Sequence, residues 1–197
     1  MTLACRGGLA HPLTRANQVV LTISAIVCAL LLSSIWGIAA GSASSALAIA
    51  NSYKVPMVIF LSALTALPAG LVALRLANAR LGAMDLVTAF ATSIFSGTLV
   101  LATLAPLVAI YYHTSSRAGV PLALGSVFVA LGTATLLFAR AVKSKLGDGQ
   151  RIASLIPVII LVALFSAALM QFVALASPII GTAGTVFDGG FDAVFTR

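Results

Sequence analysis

Acids, histidines and cysteines are the side chains from which a catalytic or metal site would be assembled, and this chain carries few of them. Its acids are the four aspartates Asp85, Asp148, Asp188 and Asp192, with no glutamate. Acid–base chemistry by paired carboxylates needs two groups converging on one reacting atom, and this set gives it almost no material. The two histidines, His11 and His113, fall on opposite sides of a membrane in the topology derived below. They cannot share a metal ion, and Cys5 and Cys28 do not complete a ligand set. No HExxH helix, GxSxG elbow or phosphate-binding glycine loop with its lysine occurs. The expectation is a protein that is not an enzyme and holds no cofactor or metal. So placed, the two thiols suggest no disulfide.

The elements that must carry such a chain follow from its composition. Apolar residues make up 61% of the 197 residues and charged residues 8%; about 25% charged residues is usual in a soluble domain. Mean hydropathy is +1.16. Residues of these kinds cannot cover a water-facing surface, which excludes soluble globular, disordered, collagen-like and disulfide-scaffold classes. An integral membrane protein remains, with the lipid bilayer as its solvent and almost nothing outside it.

A helix needs about 20 apolar residues to cross a hydrocarbon core about 30 Å thick. Uncharged runs long enough to do so predict five spans near Val19–Ala40, Val55–Leu74, Leu86–Ile110, Val120–Ala139 and Ile152–Ala176. Backbone groups in lipid must be satisfied within the segment, and the alternation of a barrel strand is absent. The predicted fold class is therefore all-α, a polytopic transmembrane helical bundle. The predicted organisation is a short cytoplasmic N-terminus (1–18), a five-helix domain (19–176) and an outer tail (177–197). Residues 41–54, 75–85, 111–119 and 140–151 are expected as loops. Pro56, Pro121 and Pro157 then stand near the starts of spans, where a missing N–H costs little. Pro68 and Pro106 fall inside spans and predict kinks, as a shape feature of the bundle or as gating hinges.

Basic residues near span ends favour the cytoplasm. With the N-terminus inside, the inner side holds Arg6, Arg15, Arg75, Arg80, Arg140, Lys143, Lys145 and Arg151. The outer side holds only Lys54, Arg117 and Arg197, so the expected orientation is N-in/C-out in a cell inner (cytoplasmic) membrane. The net charge of +7 then reflects membrane anchoring and attraction to anionic lipid, with no nucleic acid as partner. The first apolar run, of about 22 residues, exceeds the 7–15 of a signal-peptide core, so an uncleaved signal anchor is expected. Tyr111 and Tyr112 suit an interfacial belt. Asp85 at the start of span 3 suits the helix dipole and free N–H groups. Gln171 is the most polar side chain deep in a span, placed to bond across helices or to pack near the outer interface.

Packing faces give the positive signal. Ala25, Ala29, Ser33, Gly37 and Gly41 recur every four residues along span 1, and Ser126, Ala130 and Ala134 form a shorter series in span 4. Small residues let helices approach where lipid supplies no hydrophobic drive. The contact would be with another subunit or within the bundle. In the tail, Phe187, Phe191 and Phe195 share one helical face beside Asp188 and Asp192, while Gly189 and Gly190 weaken such a helix. This segment suits either the membrane surface or a docking arm.

The stretch KVPMVIFLSALTALPAGLVALRLANARLGAMD (54–85) opens a span with Lys-x-Pro, carries Pro68 within it and closes on a short basic link with Leu81–Gly82. Together with the five-span, N-in count it resembles bacterial Yip1-like membrane proteins over residues 19–176. The Asp-Leu-Tyr-Gly-Pro pattern and long N-terminal region of the eukaryotic members are absent. The resemblance implies non-enzymatic membrane organisation or protein association. The residues themselves point the same way, to an accessory or scaffold subunit bound to other membrane protein subunits. A small-solute permease or channel component is the alternative.

Overall fold

The computed structural model describes residues 14–42, 44–77, 81–114, 119–145 and 151–179. Five α-helices make up its elements: α1 (Arg15–Ala40), α2 (Ser45–Leu76), α3 (Ala83–Thr114), α4 (Gly119–Ser144) and α5 (Arg151–Ala176). Each is long and apolar enough to cross a membrane. The multi-pass helical bundle expected from the spacing of charges is the fold found.

The helices outrun the predicted spans because a crossing sets only a minimum length. α2 differs most. The expected loop over 41–54 shrinks to the few residues between Ala40 and Ser45, where helix begins. Ser44 caps it, accepting from the Leu47 N–H at 3.4 Å. The Ala-rich run that follows favours helix. Lys54, expected at the end of a loop, stands inside the helix, and its amine reaches across to α5 and donates to the Ala176 carbonyl at 2.9 Å. Pro56 consequently sits inside α2 rather than near its start, and the helix continues through both Pro56 and Pro68. At the other ends, α3 extends through Thr114 and α4 through Ser144, into segments expected as loop. α1 starts at Arg15, and Thr14 accepts from the Asn17 N–H at 3.4 Å.

Side-by-side packing gives the ring order α1–α2–α5–α4–α3. α1 packs on α2 and α3, α5 packs on α2, and α4 packs on α3. The α4–α5 side of the ring touches only sparsely, as do α2 and α3 across it. Two apolar clusters fill the interior. One lies toward the end where α1 begins, around Leu86, Phe90, Phe138, Val142, Leu161 and Phe165. Phe90 meets Phe138 and Phe165 edge-on, with centroids 5.6 and 5.4 Å apart, which suits the aromatic quadrupole. The second cluster, around Trp36, Val55, Val58, Leu101 and Val108, occupies the opposite half. Facing outward, α1 shows Val20, Ile23, Val27, Leu31, Ile35 and Ile38 at helical spacing. Such an apolar exterior suits the hydrocarbon interior of a membrane.

Candidate functional site

Polar side chains work at both ends of the bundle. Where α1 begins, Asp85 in the first turn of α3 accepts from Gln18 Nε2 at 2.9 Å and forms an ion pair with Lys145 just beyond α4. One turn deeper, the hydroxyls of Thr22 and Thr88 are 3.0 Å apart, and both residues are buried. Asp85 is the sole acid among the described residues, and it joins three helices as well as occupying the dipole-favoured first turn expected of it. The side chains of Asp85 and Lys145 are about a third exposed, at 32% and 35%. Asp85→Asn keeps an acceptor for Gln18 and loses only a partly screened attraction, a cost below about 1 kcal/mol. Asp85→Leu also removes the acceptor and is expected to cost more. Thermal midpoints of the two variants in detergent check that order, and equal midpoints would show that Gln18 does not depend on Asp85.

At the opposite end, the Trp36 indole N–H donates to Ser126 Oγ at 3.0 Å, joining α1 to α4. Asn51, fully buried, donates from Nδ2 to the Ile179 carbonyl at 2.7 Å. That bond brings the segment after α5 back onto α2, and Ile179 is itself buried. Asn51 Oδ1, Ser42 Oγ and Ser177 Oγ are buried atoms without a protein partner among the described residues, all at this end.

The predicted ladder of α1 faces inward. Ala25, Ala29, Ser33 and Gly37 are buried, and Gly41 is buried where α1 ends. A Cβ on Gly37 would lie 2.3 Å from the Asn51 carbonyl oxygen, and one on Gly41 would lie 2.7 Å from the Ala48 backbone. The Gly37–Gly41 end of this stripe is thus a close crossing of α1 and α2 within one chain, while Ala25 lies beside Thr92, Phe95 and Ser96 of α3. The α4 series behaves alike: Ala130 and Ala134 close on Gly97 of α3, and Ser126 receives Trp36. Gln171 is exposed on α5. The tail residues Phe187, Phe191 and Phe195 lie outside the described residues.

Between the Phe cluster and the Trp36 end, the ring leaves a partly open cavity of about 140 Å³ lined by all five helices. Phe165 marks one limit and Trp36 and Ile179 the other; Val58, Leu101, Val127 and Leu169 stand between them. Its wall is almost wholly apolar. The Thr98 hydroxyl turns back to its own helix, donating to the Phe95 carbonyl at 2.9 Å. Ser62, Ser93, Ser96 and Ser126 likewise donate to carbonyls of their own helices.

Sequence reasoning passed over three of these features. Trp36 is the sole tryptophan of the chain, which was signal enough to single it out. Asn51 was hidden by the loop assigned to it. Gly125 and Gly132, seven residues apart on α4, have nothing within 4 Å of a built Cβ. They share an outward face with Phe128, Val129 and Leu136, which are 64%, 56% and 55% exposed. Among the described residues, no group of three His, Cys, Asp or Glu is placed to hold a metal ion. No family model, curated protein or solved structure matches the chain.

Proposed function

We propose that the protein is a non-catalytic, multi-pass subunit of a bacterial inner membrane, oriented N-in/C-out, that scaffolds a complex of membrane proteins. The observation that carries this reading is the outward glycine pair on α4. Gly37, Gly41, Gly70 and Gly97 are each closed over by a neighbouring helix, whereas Gly125 and Gly132 open outward on one face. Exposed glycine within a span lowers helix propensity and packs nothing of its own chain. It does let the backbone of another spanning helix approach closely, with Phe128, Val129 and Leu136 as flanking knobs. The charge bias of the span ends supports the orientation, and the resemblance to Yip1-like proteins supports a role in association. A permease for polar solutes is the weaker reading, because the apolar cavity wall has nothing to replace a solute's hydration.

The test is gentle extraction from native membranes, with native mass determination of the unsubstituted chain and of the double variant Gly125→Leu/Gly132→Leu. Both leucines enter open space, so the bundle's thermal midpoint should hold or rise. The expected result is a heteromeric assembly that the double variant loses while remaining folded. A 20.0 kDa monomer from native membranes, or an assembly untouched by the double variant, would overturn the proposal.

A further inference from the structure

We propose that the central cavity is a binding site for one acyl chain of a membrane phospholipid, entered between α4 and α5. Four observations lead there. First, the wall excludes water. A cavity of about 150 Å³ lined by aliphatic and aromatic side chains stays dry and takes up benzene or xenon. The cavity here measures about 140 Å³ and its one lining hydroxyl, Thr98, is turned to its own helix. Its occupant is therefore hydrocarbon rather than an ion, a sugar or water.

Second, the shape is long. On α5 the lining residues are Phe165, Leu169 and Val173, and on α4 they run from Leu124 to Ala134. Eight residues of helix rise about 12 Å. The space thus follows the bundle axis, as an extended alkyl chain does. Third, the ring is weakest where α4 meets α5, and the helices beside that seam present apolar surface to their surroundings. For a chain that crosses a membrane, the medium outside the seam is the acyl interior of the bilayer. Fourth, the far limit of the cavity lies at the Asn51 end of the bundle. Ile179 forms part of the wall, and its carbonyl accepts from Asn51. Ser42 Oγ and Ser177 Oγ, buried and without protein partners among the described residues, lie at that same end. The glycine face of α4 points away from this cavity, so the lipid site stands or falls separately from the scaffold reading.

Trp36 supplies the probe, being the sole tryptophan, 3% exposed and part of the cavity wall. The full chain is reconstituted in vesicles of phosphatidylcholine with dibrominated acyl chains, because bromine quenches indole emission at short range. Two variants fill the cavity, Val127→Phe and Leu169→Phe. A third, Trp36→Phe/Phe128→Trp, reports boundary lipid on the outer face. The expected result is loss of Trp36 emission in brominated vesicles and its recovery in the filled variants, while the Phe128→Trp probe stays quenched. Bright Trp36 emission in the unsubstituted chain overturns the proposal, as does equal quenching in folded filled variants. A bright Trp36 in a chain that forms homodimers would assign the seam to a second copy instead.

Dilution with unbrominated lipid gives a reading that needs no filled variant. Exchange at one site restores Trp36 emission in direct proportion to the unbrominated fraction. The outer probe, which meets several lipids, recovers only at high dilution. Coincident curves overturn the proposal.

Discussion

Replacing Gly37 with leucine is expected to abolish the folded bundle. The first atom of the new side chain would sit 2.3 Å from the Asn51 carbonyl oxygen, 3.0 Å from its carbon and 3.2 Å from Val55 Cγ2. Two of these three are backbone atoms of α2, so no rotamer change relieves the clash and the helices must part. Parting them pulls Asn51 from the Ile179 carbonyl and Lys54 from the Ala176 carbonyl, the two bonds that hold the end of α5 on α2. Overpacking a core costs about 1–3 kcal/mol and occasionally more, and an obstacle made of backbone belongs at the top of that range. Size-exclusion chromatography and thermal melting in detergent read the outcome: no monodisperse species, or a midpoint far below that of the unsubstituted chain. A wild-type midpoint would mean that α1 and α2 do not cross at Gly37. The same geometry governs how assembly data are read. A partner lost from Gly37→Leu reports unfolding, whereas a partner lost from Gly125→Leu/Gly132→Leu reports an outer face, since those leucines meet nothing within 4 Å of their Cβ.

The contrast between these glycines shows where the sequence was legible. Spans could be counted because each crossing demands an apolar run and charges mark its ends, a constraint that acts along one helix at a time. The constraint failed at α2 for a physical reason. A charge marks water only when its head group must reach it, and the Lys54 amine instead finds the Ala176 carbonyl at the end of α5. That error concealed ten residues of helix and, with them, Asn51. Small-residue series were visible too, yet nothing in a chain so rich in alanine and glycine tells an inward series from an outward one. Ala25 to Gly41 turned inward, while Gly125 and Gly132, never singled out, face outward. The cavity was beyond sequence reading altogether. α5 is apolar all round, so periodicity does not mark the face carrying Phe165, Leu169 and Val173, and the space exists only where five helices fail to meet.

The second large effect concerns the α2–α5 contact and has a built-in rescue. Gly70→Leu is expected to destabilise the bundle, because a Cβ there would lie 2.4 Å from Leu161 Cδ1, 3.0 Å from its Cγ and 3.2 Å from its Cβ. Leu161 is fully buried in the cluster of Leu74, Phe138, Val158 and Phe165, so its side chain has no vacant direction in which to retreat. Leu161→Ala alone is also expected to be costly, by about 2–5 kcal/mol, through lost burial and the void left behind. The obstacle to leucine at position 70 is nonetheless a side chain, not backbone as at Gly37. Combining the changes moves leucine's branched end from α5 to α2 and nearly conserves volume, a class of swap that cores tolerate within about 1.5 kcal/mol once repacked. The double variant Gly70→Leu/Leu161→Ala should therefore melt above at least one of its single parents, with a coupling energy favouring the pair. Additive losses in a double-mutant cycle would mean that Gly70 and Leu161 do not touch. The ring order α1–α2–α5–α4–α3 would then need redrawing at its α2–α5 side.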